Sequence, residues 1–211
     1  MITPLELVSI SDFVLAALCL FLSGILFGKV KSPFSRLGML SYFILFVGLS
    51  AFMGGIDHGF FEPINQRYVT RTLTYIFVAA ATFSLFKYTI LTYFKGKLSR
   101  FLFIIAYTQL IAFIAVSLFY NNFLLVVFNY LPVLLLFLIM NVLNIKRSKS
   151  ELHFTLFCLI MILASLVQVL GIGLSKSING DTLFHIIAFV SYLFFFSGAK
   201  HISDSNTQAN A

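Results

Sequence analysis

Apolar residues occur along the chain in long runs that are separated by short polar gaps. Each run holds about 20 residues, the length at which an α-helix crosses the hydrocarbon core of a bilayer. The fourth and fifth runs form one apolar stretch of about 45 residues, too long for a single crossing, and a tight turn at Asn121–Asn122 divides it. The pattern predicts an all-α bundle of seven transmembrane helices, at about residues 8–28, 37–58, 71–93, 100–120, 122–145, 153–175 and 181–200.

Composition excludes a soluble globular domain. Of the 211 residues, 60% are hydrophobic and 10% are charged, and the mean hydropathy is +1.02. The net charge of +7 does not indicate nucleic-acid binding, because the basic residues lie in short clusters between apolar runs. Cys19 and Cys158 both fall within apolar segments, so neither a disulfide framework nor a CxxC motif is present.

The basic clusters predict the orientation of the chain. Cytoplasmic loops of membrane proteins are enriched in Lys and Arg. Arg67, Arg71 and Lys176 lie in the even-numbered loops or beside them, and the other eleven of the fourteen basic residues lie on the opposite side. We therefore expect the N-terminus outside and the C-terminus in the cytoplasm of a multi-pass protein of the cell membrane, such as a bacterial inner membrane.

The chain reads as one membrane domain with a short tail. The first apolar run lacks a basic n-region, and Glu6 and Asp12 flank or enter it, which favours a retained helix over a cleaved signal peptide. Residues 1–202 are predicted to form a single seven-helix domain, and residues 203–211 a disordered polar tail.

Six ionisable side chains converge on the predicted outer side. Such groups are costly inside a bilayer and therefore mark candidate functional sites. Asp181 and His185 are four residues apart and share a helix face, so the carboxylate could orient the imidazole. Two imidazoles with nearby carboxylates could hold zinc. The six residues are Asp12, Asp57, His58, Glu62, Asp181 and His185.

The same residues also allow structural roles. Charged side chains at helix ends reach the headgroups or cap the helix, and Asp181 at a helix start favours the helix dipole. Glycines at positions 54, 55 and 59 predict a close approach of helix 2 to a neighbour. Polar residues within the spans hydrogen-bond between helices in most cases. They are Gln109, Asn129, Ser165 and Gln168.

Seven spans, the HG-type motif His58-Gly59 closing helix 2 and His185 one turn into helix 7 resemble the CREST superfamily of membrane hydrolases. That superfamily includes the alkaline ceramidases and the progestin and adipoQ receptors, and the pattern is also similar to uncharacterised bacterial seven-helix proteins grouped with them. The resemblance implies zinc, with His58 and His185 as ligands. The chain departs from the motif at Phe189, which replaces a second helix 7 histidine, and at Gly54, which replaces a serine. Helix 3 has no acidic residue.

Two classes of function follow. The first is a zinc-dependent hydrolase of lipid amides or esters, with His58, His185 and Asp181 as ligands and Asp57 or Asp12 as base. The second is a non-enzymatic sensor or small transporter that binds a ligand or proton at the outer His/Asp cluster. A haem between the two histidines is a third possibility. Membrane lipids are the expected partners, nucleic acid is not expected, and no protein partner is indicated.

Overall fold

The structure, a computed structural model, describes residues 3–120 and 122–202 and contains no strand within them. Seven helices are long and apolar enough to cross a membrane, which confirms the predicted all-α class and helix number. Helix α2 continues as a π-helical segment, Asp57–Phe61. The α-helices are α1 Pro4–Phe27, α2 Arg36–Ile56, α3 Tyr68–Tyr93, α4 Gly96–Ser117, α5 Phe123–Leu143, α6 Lys149–Val169 and α7 Gly180–Ala199.

Helix α1 begins four residues before the predicted start at residue 8. The Thr3 side chain accepts a hydrogen bond from the Glu6 backbone N–H, and the Glu6 carboxylate accepts one from the Thr3 N–H at 2.7 Å. This capping box, followed by Pro4 in the first turn, nucleates the helix ahead of the apolar run. Asp12 consequently lies about two turns inside α1 rather than one.

Helix α6 lies earlier in the chain than the predicted 153–175. The Ser148 hydroxyl caps its start by accepting from the Ser150 N–H at 3.1 Å. The helix ends just before Gly171, whose φ of 64° lies in the left-handed region that glycine adopts without strain. The apolar residues after position 169 therefore belong to a loop. The prediction from hydrophobicity alone, which ended this helix at residue 175, was six residues too long at this end.

The apolar stretch predicted to be divided at Asn121–Asn122 is divided, because α4 ends at Ser117 and α5 begins at Phe123. Asn122 caps α5 by accepting from the Leu124 N–H at 2.9 Å. Asn121 and the predicted polar tail, residues 203–211, lie outside the described residues.

Six of the helices form a closed ring. Helix α1 packs against α2 and α7, α3 joins α2 to α5, and α6 joins α5 to α7. Helix α4 lies outside this ring against α3, with a minor contact to α5. Of its residues only Ala106, Phe113 and Ser117 are buried. Short connections make consecutive helices run in opposite directions, so α1, α3, α5 and α7 begin at the same end of the bundle.

Aromatic packing fills the end of the ring near the basic loops. The ring centroids of Phe43 and Phe195 are 4.8 Å apart, and those of Phe157 and Phe195 are 5.1 Å apart. Phe154 continues the cluster at 5.2 Å from Phe137. Offset and edge contacts of this kind stabilise a core beyond the area that they bury. Helices α2, α5, α6 and α7 are thereby joined at this end.

Glycines bring α1 and α2 into close contact at the opposite end. A Cβ at Gly55 would lie 2.9 Å from the Phe13 ring, and one at Gly59 would lie 2.6 Å from the Ser9 hydroxyl. The Ser9 hydroxyl donates to the Gly55 carbonyl at 2.7 Å. The close approach predicted for helix 2 is confirmed, and its partner is α1.

Candidate functional site

A cavity of about 650 Å³ lies inside the six-helix ring. All six ring helices contribute to its wall, and α4 contributes no lining residue among those described. The volume falls within the range of small-molecule sites, roughly 300–1,000 Å³. Its wall changes from charged residues, at the end where α1, α3 and α7 begin, to apolar residues such as Phe43, Leu85, Val133 and Met161 toward the other end.

The six ionisable residues predicted from the sequence all line this cavity. They do not form one cluster. Asp57, His58 and Glu62 belong to the segment between α2 and α3, whereas Asp12 and His185 are paired between α1 and α7.

Arg67 organises the α2–α3 cluster, which comprises Asp57, His58, Glu62, Arg67, Thr70 and Arg71. Arg67 Nε donates to Asp57 Oδ2 at 2.7 Å, and its Nη2 contacts the same oxygen. The other oxygen of Asp57 accepts from the Thr70 hydroxyl at 2.5 Å. Arg71 Nε lies 3.7 Å from Asp57 Oδ2. Asp57 is thus a buried carboxylate whose two oxygens are both occupied.

Glu62 connects Arg67 with His58. Its Oε1 lies 2.5 Å from Arg67 Nη1, and its Oε2 lies 2.5 Å from His58 Nδ1. The π-helical turn carries this arrangement, with the Glu62 N–H donating to the Asp57 carbonyl at 2.8 Å. Single π-helical turns occur frequently at functional sites. Here the turn places Asp57 and His58 on the cavity wall together.

The α1–α7 cluster, defined by Ser11, Asp12 and His185, is more deeply buried. His185 Nε2 lies 3.1 Å from Asp12 Oδ1, and its Nδ1 lies 2.9 Å from the Ser11 hydroxyl, which donates to the Val8 carbonyl at 2.7 Å. Asp12 is 4% exposed and His185 8% exposed. Asp12 Oδ2 is buried and has no hydrogen-bond partner in the described part of the chain.

The i,i+4 spacing suggested that Asp181 orients His185, but in the structure Asp181 has another partner. Its Oδ1 accepts from the Gln168 side-chain amide at 3.0 Å, which ties α7 to α6. The imidazole is oriented instead by Asp12, because α1 packs against α7 at the depth of His185. Asp181 stands one turn nearer the helix start.

The predicted metal ligands are divided between these clusters. Among the described residues, the three whose ligand atoms lie within 4.8 Å of one another are Asp57, His58 and Glu62, not His58, His185 and Asp181. The donor set suits zinc by type. However, Arg67 contacts both carboxylates of the group, so a metal cation there would have to displace a guanidinium. Both nitrogens of His185 are engaged by Asp12 and Ser11.

The predicted bases differ in the same way. Asp57 is held by Arg67 and Thr70, whereas Asp12 lines the cavity and has one oxygen without a partner in the described part of the chain. A free carboxylate oxygen in a buried site accepts a hydrogen bond or a cation. Asp12 is therefore the carboxylate best placed to meet a ligand.

Sequence reasoning did not assign a site role to Ser11, Arg67, Thr70 or Gln168. Arg67 and Arg71 had a usable signal, because they are two of the three basic residues on the predicted outer side and stand near its carboxylates. Nothing in the sequence indicated that Ser11 and Thr70 belong to the site, since a hydroxyl in a helix commonly bonds to the backbone of its own helix.

One comparison with known proteins identifies a family. The model of a family described as one of unknown function, DUF6962, matches residues 7–204. No curated protein and no solved structure matches the chain. The match extends through all seven helices and includes both polar clusters. The chain therefore belongs to the DUF6962 family.

Proposed function

We propose that this chain is an integral membrane protein that binds an amphipathic ligand, such as a membrane lipid, in the cavity of its six-helix ring. The observation that supports the proposal is the division of one cavity into a charged end and an apolar end. A ligand with a polar headgroup and a hydrocarbon chain matches that division. This function belongs to the sensor or small-transporter class.

The outer surface of the helices supports insertion into a bilayer. Large apolar side chains are exposed around the bundle, including Phe21, Phe101 and Phe128, with Phe128 72% exposed. An apolar surface of this extent is unfavourable in water and is typical of contact with lipid. We place the N-terminus outside and the C-terminus in the cytoplasm, because eleven of the fourteen basic residues lie on one side of the helices.

The length of the cavity suits a headgroup and a chain. Asp181 and Tyr192 both line it and are eleven residues apart on α7, about 16 Å at the helical rise per residue. Between them the wall contains Ala188, and across the cavity it contains Leu85 and Leu134. The orientation proposed above places the charged end near the outer membrane surface.

Filling the cavity tests this function. Ala188 is fully buried and lines the cavity, whereas Leu163 is exposed on α6 and does not line it. The wild-type protein and Leu163→Phe, extracted in a nonionic detergent, are expected to retain a lipid detectable by mass spectrometry. Ala188→Phe is expected to lose it. Ala81→Leu, which fills the cavity from α3, is the second test variant if Ala188→Phe does not fold.

The proposal fails if a cavity-filled variant melts like the wild type and retains the same amount of lipid. Thermal melting of each variant separates loss of binding from loss of structure. Lipid retained equally by all variants would be held on the outer surface of the helices.

A metal-dependent lipid hydrolase remains the competing function. The grouping of Asp57, His58 and Glu62 favours it, and the contacts of Arg67 with both carboxylates oppose it. Elemental analysis of the purified protein would reveal stoichiometric zinc if this alternative holds. His58→Ala would then abolish both the metal and lipid turnover, whereas His153→Ala, on the other side, would leave both unchanged.

A further inference from the structure

We propose that the Asp12–His185 pair recognises a protonated primary amine on the ligand. This inference rests on the proposed function and names the chemistry of the headgroup. It is carried by four features of the cavity, as the described residues form it: a buried carboxyl oxygen without a partner, two carboxyl groups without a basic partner, a narrow wall at Gly54 and an apolar path leading away from the pair.

Asp12 Oδ2 is the unsatisfied atom of the cavity. In the described part of the chain, three buried side-chain atoms lack a hydrogen-bond partner, on Asp12, Thr92 and Thr182. Of these residues only Asp12 lines the cavity. An unpaired acceptor in a buried site is costly, and the cost is removed when a donor reaches it. The ligand is therefore expected to bring an N–H or O–H donor.

The charge of the cavity wall favours a cation as that donor. In the α2–α3 cluster, Arg67 and Arg71 offset Asp57 and Glu62. No Lys or Arg side chain offsets Asp12 or Asp181 among the described contacts, since Asp12 meets His185 and Asp181 meets the Gln168 amide. The α1–α7 side consequently holds two carboxyl groups without a basic side chain among the described contacts, and a bound ammonium would supply the missing cation.

The hydrogen bonds of His185 leave Asp12 Oδ2 as an acceptor. The Ser11 hydroxyl donates to the Val8 carbonyl, so its oxygen accepts from the Nδ1–H of His185. Nε2 then faces Asp12 Oδ1 across one shared proton, and Oδ2 is left without a donor among the described residues. The imidazole acts as a positioning group that fixes the carboxylate plane.

The space beside the carboxylate favours a primary amine over a quaternary one. A Cβ at Gly54 would lie 3.2 Å from both Asp12 oxygens. The α2 backbone is therefore close to the carboxyl group, and the absence of a side chain at Gly54 leaves space for only a small ligand group. A quaternary ammonium has no N–H to satisfy Oδ2, and its methyl groups hold the charge farther away. One turn along each helix, Leu15 and Ala188 begin the apolar wall that a hydrocarbon chain would follow.

Binding measurements with simple amphiphiles test the inference. The full-length protein in nonionic detergent is titrated at constant neutral pH with dodecylammonium, dodecanol, dodecyltrimethylammonium and butylammonium. Dodecylammonium is expected to bind at least tenfold more tightly than dodecanol or the quaternary amine. Equal binding of butylammonium identifies a free amine as the ligand, and binding of the long chain alone identifies a lipid headgroup.

Variants assign the preference to Asp12. Asp12→Asn is expected to remove the tenfold preference while leaving dodecanol binding unchanged. Glu151→Gln alters a buried carboxylate outside the cavity and is expected to preserve the preference. If Asp12→Asn does not fold, Gly54→Ala is the alternative variant, because its methyl group crowds the carboxylate without removing its charge.

Amine recognition is overturned if Asp12→Asn melts like the wild type and still prefers dodecylammonium tenfold. It is also overturned if the wild type binds dodecanol and dodecylammonium equally. In both cases, loss of binding in Ala188→Phe would leave the proposed function intact. If no twelve-carbon probe binds the wild type, the proposed function itself fails.

Discussion

Arg67 is the residue on which the α2–α3 cluster depends. It contacts two carboxylates, those of Asp57 and Glu62, and its side chain is 15% exposed. Asp57 is almost fully buried beneath it. A buried ion pair contributes little compared with an apolar pair of the same shape, but removing one partner leaves the other charge buried and uncompensated.

We therefore expect Arg67→Gln to lower the free energy of unfolding by about 3 kcal/mol, because Asp57 and Glu62 would lose the guanidinium that both of them contact. Arg71→Gln is the matched control. Arg71 is 33% exposed and 3.7 Å from Asp57, so its loss should cost less than about 1 kcal/mol. Denaturant unfolding in detergent measures both, and equal losses would contradict the central role of Arg67.

The sequence identified the polar residues of the site but not how they pair. Ionisable residues within apolar runs are visible in any sequence, and six of them do line the cavity. Their pairing depends on the rotation of each helix about its axis. Because α1 is apolar on all sides, hydrophobicity does not show that Asp12 faces His185. The i,i+4 spacing suggested Asp181 as the partner of His185, but the partner is Asp12, on a helix far away in the sequence.

At the scale of helices, the approach of α2 to α1 depends on residues without side chains. Gly54, Gly55 and Gly59 face Asp12, Phe13 and Ser9 in register. Small residues permit such contacts between helices when lipid supplies no hydrophobic force to drive association. The α1 wall of the cavity is positioned by this contact.

Gly55→Ala is expected to destabilise the protein by about 1–3 kcal/mol, because the added methyl group would lie 2.9 Å from the Phe13 ring. Gly24→Ala is the control, since a Cβ there meets nothing within 4 Å. It should leave stability unchanged or slightly raise it. Thermal melting in detergent compares the two, and equal melting temperatures would show that the contact yields without cost.

Helix α4 is attached to the ring by a polar contact. Gln109 donates to the backbone carbonyl of Asn129 at 2.6 Å and to its side-chain oxygen at 3.1 Å. Asn129 in turn donates to Thr82 at 3.2 Å. The prediction that these polar residues bond between helices is confirmed, and α3, α4 and α5 are joined by them.

Gln109→Leu should therefore cost about 1 kcal/mol of stability, the magnitude measured for hydrogen bonds between membrane helices. Asn144→Leu serves as the comparison, because Asn144 donates at 2.7 Å to Met140 of its own helix. If Gln109→Leu costs no more stability than Asn144→Leu, α4 is held by packing rather than by Gln109. Denaturant titration resolves the difference.

At the scale of the whole molecule, the ring is not built in the order of the chain. Helix α3 contacts α5, and the intervening α4 is left outside. The pattern of apolar runs predicted seven helices and the loops between them. The pattern could not predict which helix lies outside the ring, because helix surfaces that face lipid and helix surfaces that face other helices are equally apolar.

The proposed orientation predicts which loops an impermeant thiol reagent reaches in intact cells. Lys176→Cys, in the loop before α7, should be labelled, whereas Lys97→Cys, in the first turn of α4, should be labelled only after permeabilisation. Cys19 and Cys158 are fully buried and should give little background. The reverse pattern would invert the orientation and place the charged end of the cavity in the cytoplasm.

The contact between Asp12 and His185 joins the first helix of the bundle to the last. If the chain is inserted into a bilayer as proposed, α1 enters it before α7 has been translated, and the Asp12 carboxyl group has no partner until the final helix arrives. A nascent or truncated chain would then expose an acidic group within the membrane. That group would distinguish it from the finished protein.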